Sequence, residues 1–217
     1  MSEANSFFNL EHGWATKYYW FDIIEKVCLS TPPFEKMIKK GKFTFSKQSG
    51  TTHADIHGST MAINFFSERF VNLLKKHNVK IKAYPIKFVK ELRIPINYYY
   101  LEPVSIIKRI ALELSIHSQE EKELFRKKVR DALNNDKIVY LDGSDEFSYV
   151  RSYIDISSWD GSDLCGVSNS QTILVTKKLK QLIEKAKLKN VSFEEFRPFS
   201  LIDLEKWEKK VKLLDKK

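Results

Sequence analysis

Residues 172–199, TILVTKKLKQLIEKAKLKNVSFEEFRPF, predict a strand, a helix and a second strand in succession. The apolar run 173–175 is short, which is typical of a buried strand. Thr176 follows it, and threonine is a residue type that caps helices by accepting a main-chain hydrogen bond. Apolar side chains then recur at helical spacing, at Leu179, Leu182, Ile183 and Ala186. From residue 191 they recur at every second position, as in a strand with one buried face.

A degenerate copy of the same unit lies at residues 61–88, MAINFFSERFVNLLKKHNVKIKAYPIKF. Ser67 takes the place of Thr176 as the predicted cap. The predicted apolar face of the helix comprises Phe70, Leu73, Leu74 and His77. We expect His77, at the edge of that face, to be partly buried. Two copies indicate duplication of one supersecondary element, because a solenoid would need at least three repeats.

The strand of this first copy has a simple alternation. Its apolar positions are Val79, Ile81 and Ala83, and its lysines are Lys80 and Lys82. Because successive side chains of a strand point to opposite faces, we expect the lysines in water and the apolar side chains against the core.

The middle and the end of the chain supply further elements. A capping box at Ser118–Glu121 opens a charged helix whose sparse apolar side comprises Leu124, Val129, Ala132 and Leu133. Residues 137–141 and 146–155 predict a hairpin joined by the turn Asp142–Asp145. A tail helix from Ser200 carries an apolar stripe at Leu204, Trp207, Val211 and Leu214.

These elements predict one α+β domain over residues 1–217, with a mixed, mostly antiparallel sheet flanked by helices. Its parts are an aromatic-rich segment 1–58, the first strand–helix–strand unit 59–105, a helix and hairpin 106–170, and the second unit with the tail helix 171–217.

The charge of the chain favours acidic partners. The 217 residues are 42% hydrophobic and carry a formal net charge of +9, which attracts nucleic acid, an anionic membrane or an acidic protein. Lysine and arginine are nevertheless spread along the chain, so a solvated cationic surface explains much of the excess. Cys28 and Cys165 are far apart and outside any CxxC spacing, which argues against disulfides and zinc. With no signal-like or membrane-spanning apolar run, we expect a cytoplasmic protein.

Two polar stretches invite a catalytic or metal-binding interpretation. His53, Asp55 and His57 lie in the predicted polar loop 47–60, where an H-x3-H pair would bind a metal only on a helix face and with further ligands. Asp160–Asp163, the sequence DGSD, has the side chains that close turns through local hydrogen bonds. Neither stretch has a partner base, and no Walker, GxGxxG, HExxH or GxSxG motif occurs. We therefore predict no enzymatic activity and no catalytic, cofactor-binding or metal-binding residues.

The aromatic N-terminal segment leaves two interpretations open. Seven large rings lie within residues 7–21 of this segment: Phe7, Phe8, Trp14, Tyr18, Tyr19, Trp20 and Phe21. Aromatic rings among lysines stack the bases of single-stranded nucleic acid. Large rings also fill cores and interfaces, and no RNA-binding signature accompanies this cluster.

The order of motifs resembles a known family. An apolar strand leads into Ser67–Phe70, SERF, and is followed by a tyrosine-rich strand at 98–101. Later come the turn Trp159–Leu164, WDGSDL, and finally residues 173–180, ILVTKKLK, with a strand from Val191. This sequence resembles the bacterial immunity proteins of polymorphic toxin systems, the Imm11 / DUF1629-like group. The likeness covers roughly residues 60–105 and 137–197.

The resemblance implies a non-enzymatic protein that binds and neutralises a cognate toxin domain. The positive charge suits an acidic face on that toxin. The alternative is a nucleic-acid-binding accessory protein that uses the basic surface and the N-terminal aromatics. Since the apolar faces of the two copies are needed for the core, we expect the partner surface on the irregular segments: residues 47–60, the aromatic N-terminus and the Trp159–Asp160 turn.

Overall fold

The computed structural model describes residues 6–13, 15–24, 33–59, 63–111, 119–135, 138–140, 152–168, 170–196 and 200–214. The chain divides into two compact units, which are described separately. The first comprises Met1–Ser105, Gly161–Gly166 and Ser170–Glu195. The second comprises Ile106–Asp160, Val167–Asn169 and Phe196–Lys217.

The described residues form an α+β fold whose strands are mostly antiparallel, as predicted. The helices are α1 (Pro33–Lys39), α2 (Glu68–Lys76), α3 (Gln119–Asn134), α4 (Lys177–Lys185) and α5 (Leu201–Leu214). The strands are β1 (Phe7–His12), β2 (Trp20–Ile23), β3 (Thr44–Ser49), β4 (Ile56–His57), β5 (Phe65–Ser67), β6 (Ile81–Pro85), β7 (Lys87–Phe88), β8 (Tyr98–Pro103), β9 (Ser105–Ala111), β10 (Ile138–Tyr140), β11 (Ser152–Asp155), β12 (Leu164–Val167), β13 (Ile173–Thr176) and β14 (Val191–Glu195).

In the first unit, the first predicted copy forms a four-stranded antiparallel sheet in the order β4–β5–β8–β6, with α2 following β5 directly. The Ser67 hydroxyl accepts a hydrogen bond from the Phe70 N–H at 3.1 Å, which confirms the predicted cap. Lys80 and Lys82 are exposed between partly buried apolar neighbours, so the predicted alternation is also confirmed. The prediction for His77 is wrong: the residue is exposed, because it is the C-cap of α2 and lies beyond its last turn.

The second copy, also in the first unit, repeats this arrangement with β12, β13, β1 and β14 as successive neighbours and α4 after β13. Its predicted cap is confirmed, because the Thr176 hydroxyl accepts from the Leu179 N–H at 3.4 Å. The strand that corresponds to β8 is β1, from the N-terminus. Phe7 pairs with Thr176 as Tyr98 pairs with Ser67. The two strands read FFNLEH and YYYLEP, and each buries its first and fourth side chains.

The apolar faces of both copies meet in one core of the first unit, as expected. Its buried members are Leu10, Ile56, Phe66, Phe70, Val71, Leu74, Leu101, Leu164, Ile173, Val175, Leu179 and Ile183. Burial of this kind contributes about 1.5 to 3 kcal/mol for each large side chain. The surfaces that α2 and α4 turn inward are therefore unavailable to a partner.

A second core in the same unit lies against a three-stranded sheet in the order β2–β3–β7, in which β3 and β7 are parallel. It contains Phe21, Ile38, Phe43, Phe45, Ile63, Phe65 and Tyr98. Phe21 comes from the aromatic N-terminal segment and is fully buried, and Phe7 is 3% exposed. The core-filling interpretation therefore holds for these two rings.

In the second unit, β11 pairs with β10 on one side and with β9 on the other, and both pairings are antiparallel. The predicted pairing of the strands near 138 and 154 is confirmed. The apolar side of α3 differs from the prediction. Leu124 is 47% exposed, whereas Phe125, Val129 and Ala132 are buried at i, i+4 and i+7. Phe125 fills this stripe because a helix repeats every 3.6 residues.

Several predictions concern residues outside the described part of the chain: Trp14, Cys28, the cap at Ser118 and the turn Asp142–Asp145. The tail helix is confirmed as α5, and its Leu204 is buried. The side chains of Trp207, Val211 and Leu214 lie outside the described part.

Candidate partner-binding cleft

The segment 47–60, predicted to be a polar loop, contains the end of β3 and the short strand β4. Its central polar residues are buried: Asp55 is 6% exposed, His57 is fully buried, and Ser59 is 1% exposed. The predicted polar loop is thus partly strand, and its central groups are buried because hydrogen bonds made within the protein replace water there. The segment is a structural support, and only parts of it reach the surface.

Asp55 holds the first helix cap in place. The Ser67 hydroxyl donates to its carboxylate at 2.7 Å, and the Ser67 N–H donates to its carbonyl at 2.8 Å. Further donors to the carboxylate are the Lys189 N–H at 2.7 Å and the Arg69 guanidinium at 3.4 Å. Lys189 follows α4, so this carboxylate joins the two copies.

Asp163 does the same for the second cap. The Thr176 hydroxyl donates to its carboxylate at 2.7 Å, and the Thr176 N–H donates to its carbonyl at 2.9 Å. Lys178 donates to the carboxylate at 2.7 Å and stands two residues after its cap, as Arg69 does. Burial raises the pKa of Asp163, but the hydrogen bonds from Lys178 and Thr176 outweigh it, so the pKa is lowered. The Asp163 carboxylate thus supports a helix cap, and its hydrogen bonds go to residues 13 and 15 positions away instead of closing the predicted local turn.

The internal repeat consequently begins further upstream than residues 61 and 172, where the sequence analysis places the start of its two copies. Residues 55–58 read DIHG and residues 163–166 read DLCG, each opening the strand that pairs with the cap-bearing strand. Ile56 pairs with Phe66 as Leu164 pairs with Val175. The shared Asp-x-x-Gly is the signal from which this part of the repeat could be found.

His57 is a structural histidine. Its Nδ1 lies 2.8 Å from the Tyr19 carbonyl oxygen, which can only accept, so Nδ1 carries the proton. Nε2 therefore accepts, and the Ala54 N–H donates to it at 3.0 Å. Burial lowers the pKa of His57 to about 4, although the Tyr19 carbonyl favours the charged form. Both ring nitrogens are occupied, which leaves no lone pair for the metal of an H-x3-H pair.

Tyr98 and His53 complete this cluster. The Tyr98 hydroxyl donates to the Ala54 carbonyl at 2.8 Å, and burial raises the pKa of Tyr98. The His53 ring meets the Tyr19 ring edge-on, with centroids 4.6 Å apart. Burial lowers the pKa of His53 as well. Within the described residues no group of three or more histidine, cysteine, aspartate or glutamate side chains could hold a metal ion.

The surface above this cluster carries a cleft, which we call the His12–Trp20 cleft. The two rings meet at a centroid distance of 5.0 Å and an angle of 78°. Gly58 lies directly beneath them: a Cβ atom at this position would be 2.4 Å from the Trp20 ring and 2.6 Å from His12 Nε2. The close approach of the two rings therefore depends on a glycine.

A cavity opens on each side of the ring pair. One has a volume of about 360 Å³, and its further lining includes Thr16, Tyr18, Tyr19, Ser49 and Asn190. The other has a volume of about 450 Å³, and its further lining includes Asn9, Glu11, Asn64, Gln171 and Thr172. Volumes of this size accept one or two large side chains or a small molecule.

The cleft unites two of the three segments expected to carry a partner surface. Trp20 represents the aromatic N-terminus, and Ser49 and Gly58 represent residues 47–60. The third segment, the Trp159–Asp160 turn, belongs to the second unit. Sequence reasoning missed Asn190, which adopts a left-handed conformation (φ 59°) and donates to the Ile56 carbonyl at 2.8 Å.

The lining of the cleft is partly aromatic and partly polar. It offers aromatic faces, hydroxyl groups and side-chain amides together with the His12 imidazole and the Glu11 carboxylate, and groups of these kinds orient a bound molecule through shape and hydrogen bonds. Among the described helices, none combines the length and apolar character that crossing a bilayer requires. Comparison of the sequence with protein-family models and with curated proteins gives no match.

Proposed function

We propose that this chain is a non-enzymatic immunity protein, which binds and neutralises a cognate bacterial toxin domain in the cytoplasm. The observation that carries the proposal is the His12–Trp20 cleft, where the aromatic N-terminus and residues 47–60 form a surface with two cavities that share His12 and Trp20. Protein partners are typically anchored by a few large side chains inserted into such cavities. The resemblance of residues 60–105 and 137–197 to the Imm11 / DUF1629-like immunity proteins supports the same conclusion.

The hydrogen bonds of the reactive side chains near the cleft favour binding over catalysis. The Asp55 carboxylate receives the hydroxyl of a helix cap, and both nitrogens of His57 bond to the main chain. A general base must be within reach of a substrate proton. Groups whose hydrogen bonds support the fold are poorly suited to that role.

The test is co-expression with the toxin-domain product of the neighbouring reading frame. We expect the wild-type chain to rescue growth and to co-purify with that product. Thr16→Trp should abolish both, because Thr16 is exposed and a tryptophan there fills the 360 Å³ cavity without removing any packing. Trp20→Ala should weaken binding by about 2 kcal/mol or more, as truncation of a central aromatic anchor does.

Trp159→Ala is the matched control, since this tryptophan lies in the second unit. It should rescue growth like the wild type, and all variants should retain the wild-type melting temperature to within a few degrees. Failure of the wild-type chain to rescue or to co-purify would contradict the proposed function. Loss of binding in the Trp159 variant alone would place the toxin surface outside the cleft.

Binding of single-stranded nucleic acid is a second candidate, favoured by one observation. The ammonium groups of Lys17 and Lys47 lie 5.1 Å and 5.5 Å from the ring centroids of Tyr18 and Tyr19, which line the cleft. Lysines beside aromatic rings suit the phosphates and bases of a single strand. Such binding should weaken steeply between about 50 and 200 mM salt. Absence of binding at the lower concentration would eliminate this candidate.

A further inference from the structure

One end of the three-stranded sheet β2–β3–β7 carries an exposed apolar side chain beside exposed lysines. The Ile24 N–H donates to the Thr44 carbonyl at 3.1 Å from one side, and Lys87 pairs with Thr44 from the other. Ile24, Thr44 and Lys87 therefore follow one another across the end of the sheet. The side chain of Ile24 is 51% exposed, unlike that of its neighbour in the chain, Ile23, which is partly buried.

The turn after α1 brings further lysines to this end. Gly41 has φ +60°, and a Cβ atom on it would lie 3.4 Å from Lys87 Cε and 3.6 Å from Lys87 Nζ. The Lys87 side chain thus lies across the turn that carries Lys40 and Lys42. The Lys40 N–H donates to the Lys36 carbonyl, which connects the same turn to the last turn of α1.

Lys90 comes two residues after the end of β7 in the chain. The Val89 N–H donates to the Phe45 carbonyl at 3.1 Å, so the chain just before Lys90 is held against β3. The charged set is then Lys36, Lys40, Lys42, Lys87 and Lys90, all of them exposed. We call these five residues together with Ile24 the lysine end.

Among the described residues, no carboxylate contacts the ammonium groups of the lysine end. Lys39, Lys178 and Arg130 each contact a carboxylate, but none of the five lysines has such a contact among the described residues. Acidic residues on α1 and in the segments around these lysines are Asp22, Glu35 and Glu91, fewer than the five lysines. Several like charges kept close together repel one another, and they create a positive potential that speeds the encounter with an acidic surface.

We propose that the lysine end docks an acidic protein surface, with Ile24 at the edge of the sheet as an apolar contact next to the lysines. The proposal rests on the proposed function in taking the partner to be a protein, and it adds the chemistry of the face that the partner presents. Protein interfaces commonly combine an apolar centre with a charged rim. Nucleic acid is a poorer match, because the cations are all lysines and the apolar side chain beside them is aliphatic, so it offers no stacking surface for bases.

The experiment uses the full chain and a synthetic peptide rich in glutamate and carrying one leucine. The patch variant is Lys40→Glu/Lys42→Glu/Lys87→Glu. The matched control, Lys75→Glu/Lys76→Glu/Lys80→Glu, has the same change in net charge on exposed residues of and beside α2. We expect the patch variant to bind the peptide about tenfold more weakly, mainly through a slower association rate. The control should remain within about twofold of the wild type, and Ile24→Ser should raise the dissociation rate.

Two further probes separate the other partner classes: a single-stranded DNA oligonucleotide, and vesicles of phosphatidylserine and phosphatidylcholine. Tighter binding of either probe, lost in the patch variant, would overturn the proposal in favour of nucleic acid or a membrane surface. Equal loss of peptide binding in the patch and control variants would overturn it too, because net charge alone would then explain the binding. Rescue of growth by the patch variant at wild-type level would reject the lysine end while leaving the proposed function intact. Unchanged melting temperatures verify that the variants are folded.

Discussion

Asp55 and Asp163 each accept a hydrogen bond from the hydroxyl group of a helix cap. Each also contacts a cationic side chain that stands two residues after that cap. The two carboxylates differ in burial and in the number of donors they accept from. The Asp55 side chain is 8% exposed and also accepts from the Lys189 main chain, whereas the Asp163 side chain is 28% exposed and its cation is largely in water. A buried carboxylate with several donors is costly to replace, because each donor then loses its partner. An exposed ion pair contributes less.

We therefore expect Asp55→Asn to lower the free energy of unfolding by about 2 to 3 kcal/mol, since the amide leaves one of its donors poorly matched. Asp163→Asn should lower it by about 1 kcal/mol or less. Urea unfolding followed by circular dichroism measures both values. Equal losses would show that the contact with Lys189 adds nothing to the first cap.

The roles of His57 and Gly58 cannot be predicted from the sequence around them. Gly58 looks like an ordinary loop glycine, yet it leaves room for the His12 and Trp20 rings. His57 looks like a metal ligand, yet both its nitrogens bond to the main chain. In each case the deciding neighbour is distant in the chain, so no local pattern could identify it.

Among the elements, the helices α2 and α4 are the best predicted parts of the molecule. Their caps and most of their buried positions follow from side chains within a few positions of one another, and such local interactions are readable from spacing. The exceptions are in α2, where Val71 is buried without having been predicted and His77 is exposed. The helix ends are less regular. Asn78 and Lys187 follow α2 and α4 in the left-handed conformation, with φ 57° and 50°. Glycine or asparagine is the usual residue there.

Lys187→Gly should therefore raise the free energy of unfolding by about 0.5 to 1 kcal/mol, because glycine adopts a positive φ without a steric penalty. Lys187 is exposed, so no packing is lost. Asn78→Gly is the matched control at the end of α2 and should change the stability by only a few tenths of a kcal/mol, since asparagine already tolerates this conformation. Thermal unfolding measures the change in stability of each variant. Destabilisation by Lys187→Gly would contradict the prediction.

At the scale of the whole molecule, a neutral histidine in the core couples the stability of the first unit to pH. The pKa of His57 falls from 6.5 to about 4 on folding, chiefly through burial. Its contribution is fully present above the unfolded value of 6.5. As the pH falls from there towards 4, the unfolded chain takes up a proton that the folded chain does not, so stability is lost.

The loss amounts to about 3 kcal/mol over that interval. His57→Asn removes the titrating group, so its free energy of unfolding should change less with pH than that of the wild type. Denaturant unfolding at a series of pH values measures the difference between the two curves. Parallel curves would show that His57 titrates alike in the folded and unfolded chains. The pKa of His53 is also lowered, so this residue changes the stability in the same direction. Comparing His53→Asn with the wild type measures its contribution to the pH dependence of the free energy of unfolding.

Charge and patterning by themselves determined the α+β class, the duplicated unit, its two helix caps and the basic character of the surface, because each depends on composition or on residues close in the chain. Only the tertiary structure decided that β1 joins the second copy in the place that β8 has in the first. It also brought Asp55 to Lys189, Gly58 to Trp20, and Lys87 to the turn after α1. These contacts join residues far apart in sequence, and they depend on how apolar faces share a core, which no short pattern records.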